Sequence, residues 1–177
     1  MIERLSVKKI NLPLTSNVIA GLNAGDFVEL SGTIYTARDQ AHKRLVAALE
    51  AGRPLPFEPA GQTIYYAGPA PGRPIGSIGP TTSSRMDAFT PILMTAGIKA
   101  MIGKGRRSPE VVQAIKRYHA VYFVATGGSA AYLSQFIVKA EVLAWPELGP
   151  EAIYKLEVKD FPVTVAIDSR GNNVFEN

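Results

Sequence analysis

Two short apolar runs constrain this chain more than any other feature. Lys99-Ala100-Met101-Ile102 and Val121-Tyr122-Phe123-Val124-Ala125 each read as a buried strand. Each runs into a glycine turn, Gly103-Lys104-Gly105 in one case and Thr126-Gly127-Gly128-Ser129 in the other. A helix follows each turn. Ser108-Pro109-Glu110 places Ser at N-cap and Pro at N1, and Val111, Val112, Ile115 and Tyr118 give that helix a core face. The second helix is expected over 130–136. β-rich sequence flanks this pair of strand–turn–helix units on both sides, so the fold class is α/β with a mixed sheet. No GxGxxG opens a helix, which argues against a doubly wound dinucleotide-binding sheet.

The remaining elements follow from turn chemistry and periodicity. Residues 1–24 alternate weakly and read as one strand with a connecting loop, an arm packed on the domain or on a partner, ahead of a main domain over 25–177. Phe27–Gly32 reads as a short strand closed by glycine. Ala41, Leu45, Ala48 and Leu49 recur at helical spacing until Gly52 and Pro54 end the pattern. Prolines 54, 56 and 59 exclude regular structure over 53–62. Thr63–Ala67 is β-rich, and Ile75–Ile78 reads as a brief strand. In the tail, strands are expected over 138–145, 153–158 and 163–167.

Candidate functional residues cluster at turns. In Gly76-Ser77-Ile78-Gly79-Pro80-Thr81-Thr82-Ser83-Ser84-Arg85-Met86-Asp87, a turn leads into four consecutive hydroxyl residues. A helix capped by Thr81 or Thr82 would offer free N–H groups to an anion and place Arg85 one turn later on the same face. A guanidinium there can grip a carboxylate through two parallel hydrogen bonds, although an N-cap followed by a solvated arginine explains the same residues. Arg38 at a helix start opposes the helix dipole, which points to a ligand or to simple exposure. Lys104 projects from its glycine turn as an anion contact or a solvated lysine. That turn is not a phosphate-binding P-loop, which would need glycine at Ile98 and Ser or Thr at Gly105.

Composition narrows the chemistry. With 177 residues, 46% hydrophobic and 19% charged, the chain can bury a sizeable core. A net charge of +4 is mild. The richest basic cluster, Lys104-Gly105-Arg106-Arg107, is too sparse to indicate nucleic acid, and a pull on small acidic substrates fits the charge equally well. There is no cysteine, so a disulfide framework or a thiolate-held cluster built by this chain alone is excluded. His42 and His119 are too isolated to suggest a metal centre. Neither a signal peptide nor a membrane span is legible, and the default location is the cytoplasm.

Four motifs taken in order then resemble a known family. They are Ser31-Gly32-Thr33-Ile34-Tyr35-Thr36-Ala37-Arg38-Asp39-Gln40-Ala41-His42, Gly79-Pro80-Thr81-Thr82-Ser83-Ser84-Arg85-Met86-Asp87, Ile102-Gly103-Lys104-Gly105 and Thr126-Gly127-Gly128. Together they resemble the C-terminal domain of class I fumarate hydratases, a separate β subunit in two-subunit members. L(+)-tartrate dehydratase β subunits share the pattern. The resemblance implies a swivelling β/β/α domain and a hydro-lyase that is inactive without an α subunit carrying a [4Fe–4S] cluster. It implies a heterodimer or heterotetramer, with a homodimer of this chain also open, and neither nucleic acid nor membrane as partner. It further implies that Arg38, Arg85 and Lys104 bind the dicarboxylate and that Thr81 faces the carbon that loses its proton. Tartrate dehydration is the alternative to fumarate hydration. A stand-alone anion- or nucleotide-binding module using the Thr81 and Gly127 turns is the alternative from a different class.

Overall fold

Alternate residues of the central strands feed two separate cores, and that alternation sets the layers. The computed structural model describes residues 6–72, 75–125 and 130–176. Its strands are β1 (Val7–Asn11), β2 (Phe27–Thr36), β3 (Thr63–Tyr65), β4 (Ala100–Gly103), β5 (Val121–Ala125), β6 (Ile137–Ala144) and β7 (Ile153–Ile167). The helices are α1 (Ser16–Ala20), α2 (Asp39–Glu50), α3 (Thr90–Thr95), α4 (Pro109–Tyr118) and α5 (Ala130–Ser134), with 3-10 turns at Ser83–Met86 and Pro146–Glu151. Strands β1 to β5 pair in parallel in that order. β7 runs antiparallel to β2, β5 and β6. Because β7 pairs with both β2 and β5, strands β2-β3-β4-β5-β7 close on themselves, and β1 and β6 are left at the edges.

One core fills the space that this closure encloses: Leu30, Tyr65, Ile102, Phe123, Phe161 and Val163 point into it. The neighbouring residues Ile64, Tyr66, Met101 and Tyr122 face the other way and pack beneath Leu45 of α2, Leu93 of α3 and Ile115 of α4. A period of two thus divides each central strand between an inner β-lined core and an outer helix-covered one. The chain is a mixed α/β domain.

Several expectations hold. β5 spans 121–125 as read, and α4 starts where Ser108 accepts a hydrogen bond from the Val111 N–H at 3.3 Å. Glu110 in its first turn and Lys116 and Arg117 in its last complement the helix dipole. The N-terminal segment contains α1 besides the expected strand; β1 pairs with β2, and Ile19 and Leu22 lie in the inner core. Asp168 ties this segment to the end of β7 by accepting from the N–H groups of Ala24, Arg170 and Asn172. Burial alone would raise its pKa, but these bonds and the Asn172 side chain hold it below the ordinary carboxylate value.

Other expectations are corrected. β2 does not stop at Gly32 but continues through a bulge to Thr36. Ile75–Ile78 forms no strand. The two expected tail strands are one, β7, carrying a bulge at Lys159–Asp160 where Asp160 adopts a φ of 54° and its N–H donates to Ser31 Oγ. The second helix, α5, ends at Ser134. No α-helix starts at Thr81, for a reason that defines the site.

Candidate functional site

The backbone around Thr81 is spent on pairing with strand ends, not on capping a helix. Pro80 bridges Ala67, the Thr81 N–H donates to the Tyr66 carbonyl at 2.6 Å, Thr82 bridges Lys104, and the Ser83 N–H donates to the Lys104 carbonyl at 3.0 Å. Residues 80–83 are thereby laid across the carboxyl ends of β3 and β4. The turn that follows, Ser83–Met86, is 3-10 and has no side-chain cap. Thr81 and Arg85 therefore do not share a helix face, and the expected helix-terminus anion cradle is absent there.

The same pairing nevertheless gathers the sequence-predicted residues. Arg38 follows β2 and is the N-cap of α2, with the preceding Ala37 N–H donating to the Tyr65 carbonyl at 3.1 Å. Lys104 follows β4 directly and is exposed. Thr81 is half-buried between the ends of β3 and β4. Arg85 reaches back to α2, its Nη2 lying 2.5 Å from Asp39 Oδ2. Arg38, Thr81 and Lys104 thus lie at the carboxyl ends of the adjacent parallel strands β2, β3 and β4, and Arg85 reaches the same end through Asp39 at the start of α2. A cavity of about 550 Å³ lies elsewhere, between α2 and Trp145, and contains none of the four. The site is an open end face carrying three cations and a hydroxyl.

Arg38 is held by close packing. A Cβ on Gly68 would stand 2.5 Å from the Pro150 carbonyl oxygen and 3.0 Å from Arg38 Cδ, so only glycine lets this arginine lie against the chain. Arg38 Nε is buried without a hydrogen-bond partner among the described residues. This unmet donor lies at the base of the end face and marks Arg38 as a charge that the protein itself leaves incompletely paired.

Beneath this face lies a buried polar layer that the sequence did not reveal. Arg107, its side chain 0% exposed, donates from Nε to Asp87 at 2.6 Å and from Nη2 to Thr90 Oγ1 at 2.8 Å and the Tyr66 hydroxyl at 3.2 Å. Its guanidinium carbon also sits 5.2 Å and 4.8 Å from the ring centroids of Tyr66 and Tyr122. The Tyr122 hydroxyl lies 2.7 Å from Ser83 Oγ and 2.8 Å from the Gly105 carbonyl. Gly103 makes room for this contact, since a Cβ there would fall 1.9 Å from Ser83 Oγ. His42 completes the layer. Its Nδ1 lies 2.8 Å from the Arg38 carbonyl, which fixes the Nδ1–H tautomer, and burial pushes its pKa down to about 4. In sequence Arg107 belongs to a basic cluster in a loop, where no periodicity separates a buried arginine from a solvated one.

The chain has no cysteine, and among the described residues no three His, Asp or Glu side chains gather where they could hold a metal ion. Cations and hydroxyls suit an anion and not iron, so these residues do not fit as ligands of an iron–sulfur cluster. The Thr126–Ser129 turn lies outside the described residues.

The family profile described as Fumarase C-terminus matches residues 2–177. The chain belongs to that family. Among relatives of this Fumarase C-terminus chain is the protein named fumarate hydratase 1, mitochondrial, of Leishmania major, 44% identical over 84% of this chain and 28% of the relative. The anaerobic class I fumarate hydratase of Escherichia coli matches to the same extent, so the chain spans about 28% of the length of these relatives. A putative L(+)-tartrate dehydratase subunit beta of Methanocaldococcus jannaschii is 40% identical over 92% of this chain and 88% of its own length.

Proposed function

We propose that this chain is the β subunit of a class I hydro-lyase and supplies the dicarboxylate-binding half of a site completed by a cluster-bearing α subunit. The observation that carries the reading is the convergence of Arg38, Thr81, Arg85 and Lys104 on one open strand-end face, although they span the chain from the start of α2 to the end of β4. On this reading the domain is of the swivelling β/β/α type, with two β layers around the inner core and helices over the outer one, and it works in the cytoplasm.

Fumarate, hydrated reversibly to malate, carries two carboxylates, and the three cations provide counter-charges for both. Arg85 uses one N–H of its guanidinium on Asp39, which leaves others to pair with a carboxylate. Arg38 and Lys104 add positive charge at the same end face. In the dehydration direction Thr81 Oγ1, ionised to the alkoxide, takes the proton from the carbon next to a carboxylate, and surrounding positive charge favours that ionisation of an otherwise very weak acid. The proton donor for the departing hydroxyl comes from the partner. The [4Fe–4S] cluster, held by the α subunit, supplies Lewis-acid polarisation of that hydroxyl when bound.

The tartrate dehydratase relatives, matched over most of their own length, favour a second reading: dehydration of tartrate to oxaloacetate by the same two-subunit arrangement. Kinetics of the complex reconstituted with an α subunit test both. Thr81→Ala should lower kcat by about two to four powers of ten with KM little changed. Because the Thr81 hydroxyl caps no helix, the melting temperature should stay near wild type. Unchanged kcat would remove Thr81 from the catalytic role, and sustained hydration by the metal-free chain alone would overturn the two-subunit reading.

A further inference from the structure

The two edges of the sheet are guarded differently. On β1, Lys8 and Lys9 stand side by side, the kind of charge that discourages another strand from adding. On β6 the free edge carries opposite charges instead: Lys139 and Glu141 lie between Val138, 66% exposed, and Val142, 48% exposed, and bulges at Val138 and Leu143 leave 139–142 as its regular stretch. Among the described residues no strand pairs with β6 beyond β7.

We propose that a second copy of this chain adds along β6, antiparallel, across a two-fold axis at Ala140. The sequence of the strand is self-complementary about that residue alone. In this register Lys139 faces Glu141 of the second copy, the contact occurring twice as a two-fold axis requires, and Val142 and the bulged Val138 flank the two pairs. Sliding the register two residues one way sets Lys139 against Lys139, and two residues the other way sets Glu141 against Glu141. A slip of one residue puts the facing side chains on opposite sides of the sheet.

The neighbouring strand extends the match. Within one copy Lys139 lies opposite Glu157 of β7, and Glu141 lies opposite Lys155. Joining two copies at Ala140 therefore creates two rows that alternate in sign across four strands: Glu157, Lys139, then Glu141 and Lys155 of the second copy, and the reverse. The same junction covers exposed Val138 and Val142 and the free backbone groups of the edge. The contact lies on β6, separate from the strand-end face, and does not depend on which diacid binds there.

Light scattering and sedimentation of the full chain test it, with a mass twice 19.0 kDa expected for wild type. Lys139→Glu and Glu141→Lys should each raise the dimer dissociation constant about tenfold or more, because each variant on its own sets like charges together twice. Mixing the two variants in equal amounts should restore dimerisation, since both contacts are then between opposite charges. Ala140→Cys gives an independent readout in a chain without other cysteines: the two copies should oxidise to one covalent dimer, the facing Cα atoms of an antiparallel pair being about 4.5–5.5 Å apart. A monomeric wild type, single variants that stay dimeric, or a mixture that fails to associate would each overturn the proposal.

Discussion

Two arginines twenty-two residues apart show how differently one side chain can be used. Arg85 and Arg107 each contact one aspartate, at 2.5 Å and 2.6 Å, yet the Arg85 side chain is 52% exposed and that of Arg107 is 0% exposed. Arg107 is enclosed by Asp87, Thr90 and two tyrosine rings, so its charge is committed to holding the ends of β3, β4 and α4 together. Arg85 leans on Asp39 with one N–H and keeps the rest in solvent. The exposed arginine can exchange partners; the buried one cannot without the layer opening. On the proposed reading the end face would owe its charge to the first and its shape to the second.

Arg107→Met separates the two most sharply. It keeps an apolar stem between the rings but strands the Asp87 carboxylate, and breaking a buried pair from one side costs about 3–5 kcal/mol. Urea unfolding should show that loss with an unchanged slope. A loss below about 1 kcal/mol, the range of an exposed pair, would place Arg107 with Arg85 and erase the contrast.

Acid probes the same buried layer through His42, which faces the Arg38 carbonyl, Tyr66, Phe89, Asp39 and Arg107. Its folded pKa, about 4, lies below the ordinary 6.5. Above pH 6.5 the imidazole is neutral in both states and the full stability is present. As pH falls from 6.5 to about 4 the unfolded chain takes up a proton that the folded chain refuses, and about 3 kcal/mol is lost. Asp26 and Asp168, whose folded pKa values lie below 3.8, and the exposed Glu147, held below 4.5 by Arg44, lose their contributions mainly at the acid end of this range and below it, so most of the window belongs to His42. His42→Leu should flatten stability between pH 6.5 and 4 in denaturation curves. An unaltered slope there would show that the layer does not exclude the proton.

This contrast also marks what was legible in the chain. β4, β5 and α4 could be read because apolar runs and a Ser-Pro cap are local signals. β7 could not: Asp160-Phe161-Pro162 looks like a break, yet β6 pairing ends at Val158 and β5 pairing begins at Val163, so Pro162 lies where only β2 is alongside. The hydroxyl run at Thr81 reads as a helix cap because nothing local says that Tyr66 and Lys104, distant in sequence, will take its backbone bonds. Arg38, Thr81, Arg85 and Lys104 could be named from motifs, whereas Arg107 and His42 become visible only once long-range pairing has buried them.

The exposed arginine gives the next effect in size. Arg85→Lys keeps the charge and can still reach Asp39, but loses the planar paired donors. In the reconstituted complex it should lower kcat/KM by about one to two powers of ten, the worth of a charge-assisted carboxylate contact. Stability of the isolated chain should change by less than about 1 kcal/mol, since the pair it alters is half in solvent. A large stability loss with unchanged kinetics would reverse the roles assigned to the two arginines.

The smallest effect belongs to Asp39→Asn. Asn keeps an oxygen within reach of Arg85 and removes only the charge of a pair that water already screens, so unfolding free energy should again move by less than about 1 kcal/mol. The informative readout is ionic strength. With Asp39 present, a dicarboxylate arriving at Arg85 must displace or share an ion pair; with Asn it meets an unopposed cation. KM for the diacid should therefore fall modestly in Asp39→Asn and rise more steeply with added salt than in wild type. If Asp39 instead aims the guanidinium, KM should rise and its salt dependence should stay as it was. Steady-state kinetics at two salt concentrations decide between a competitor and a positioning group, and only the former leaves Arg85 free to exchange partners as the comparison with Arg107 requires.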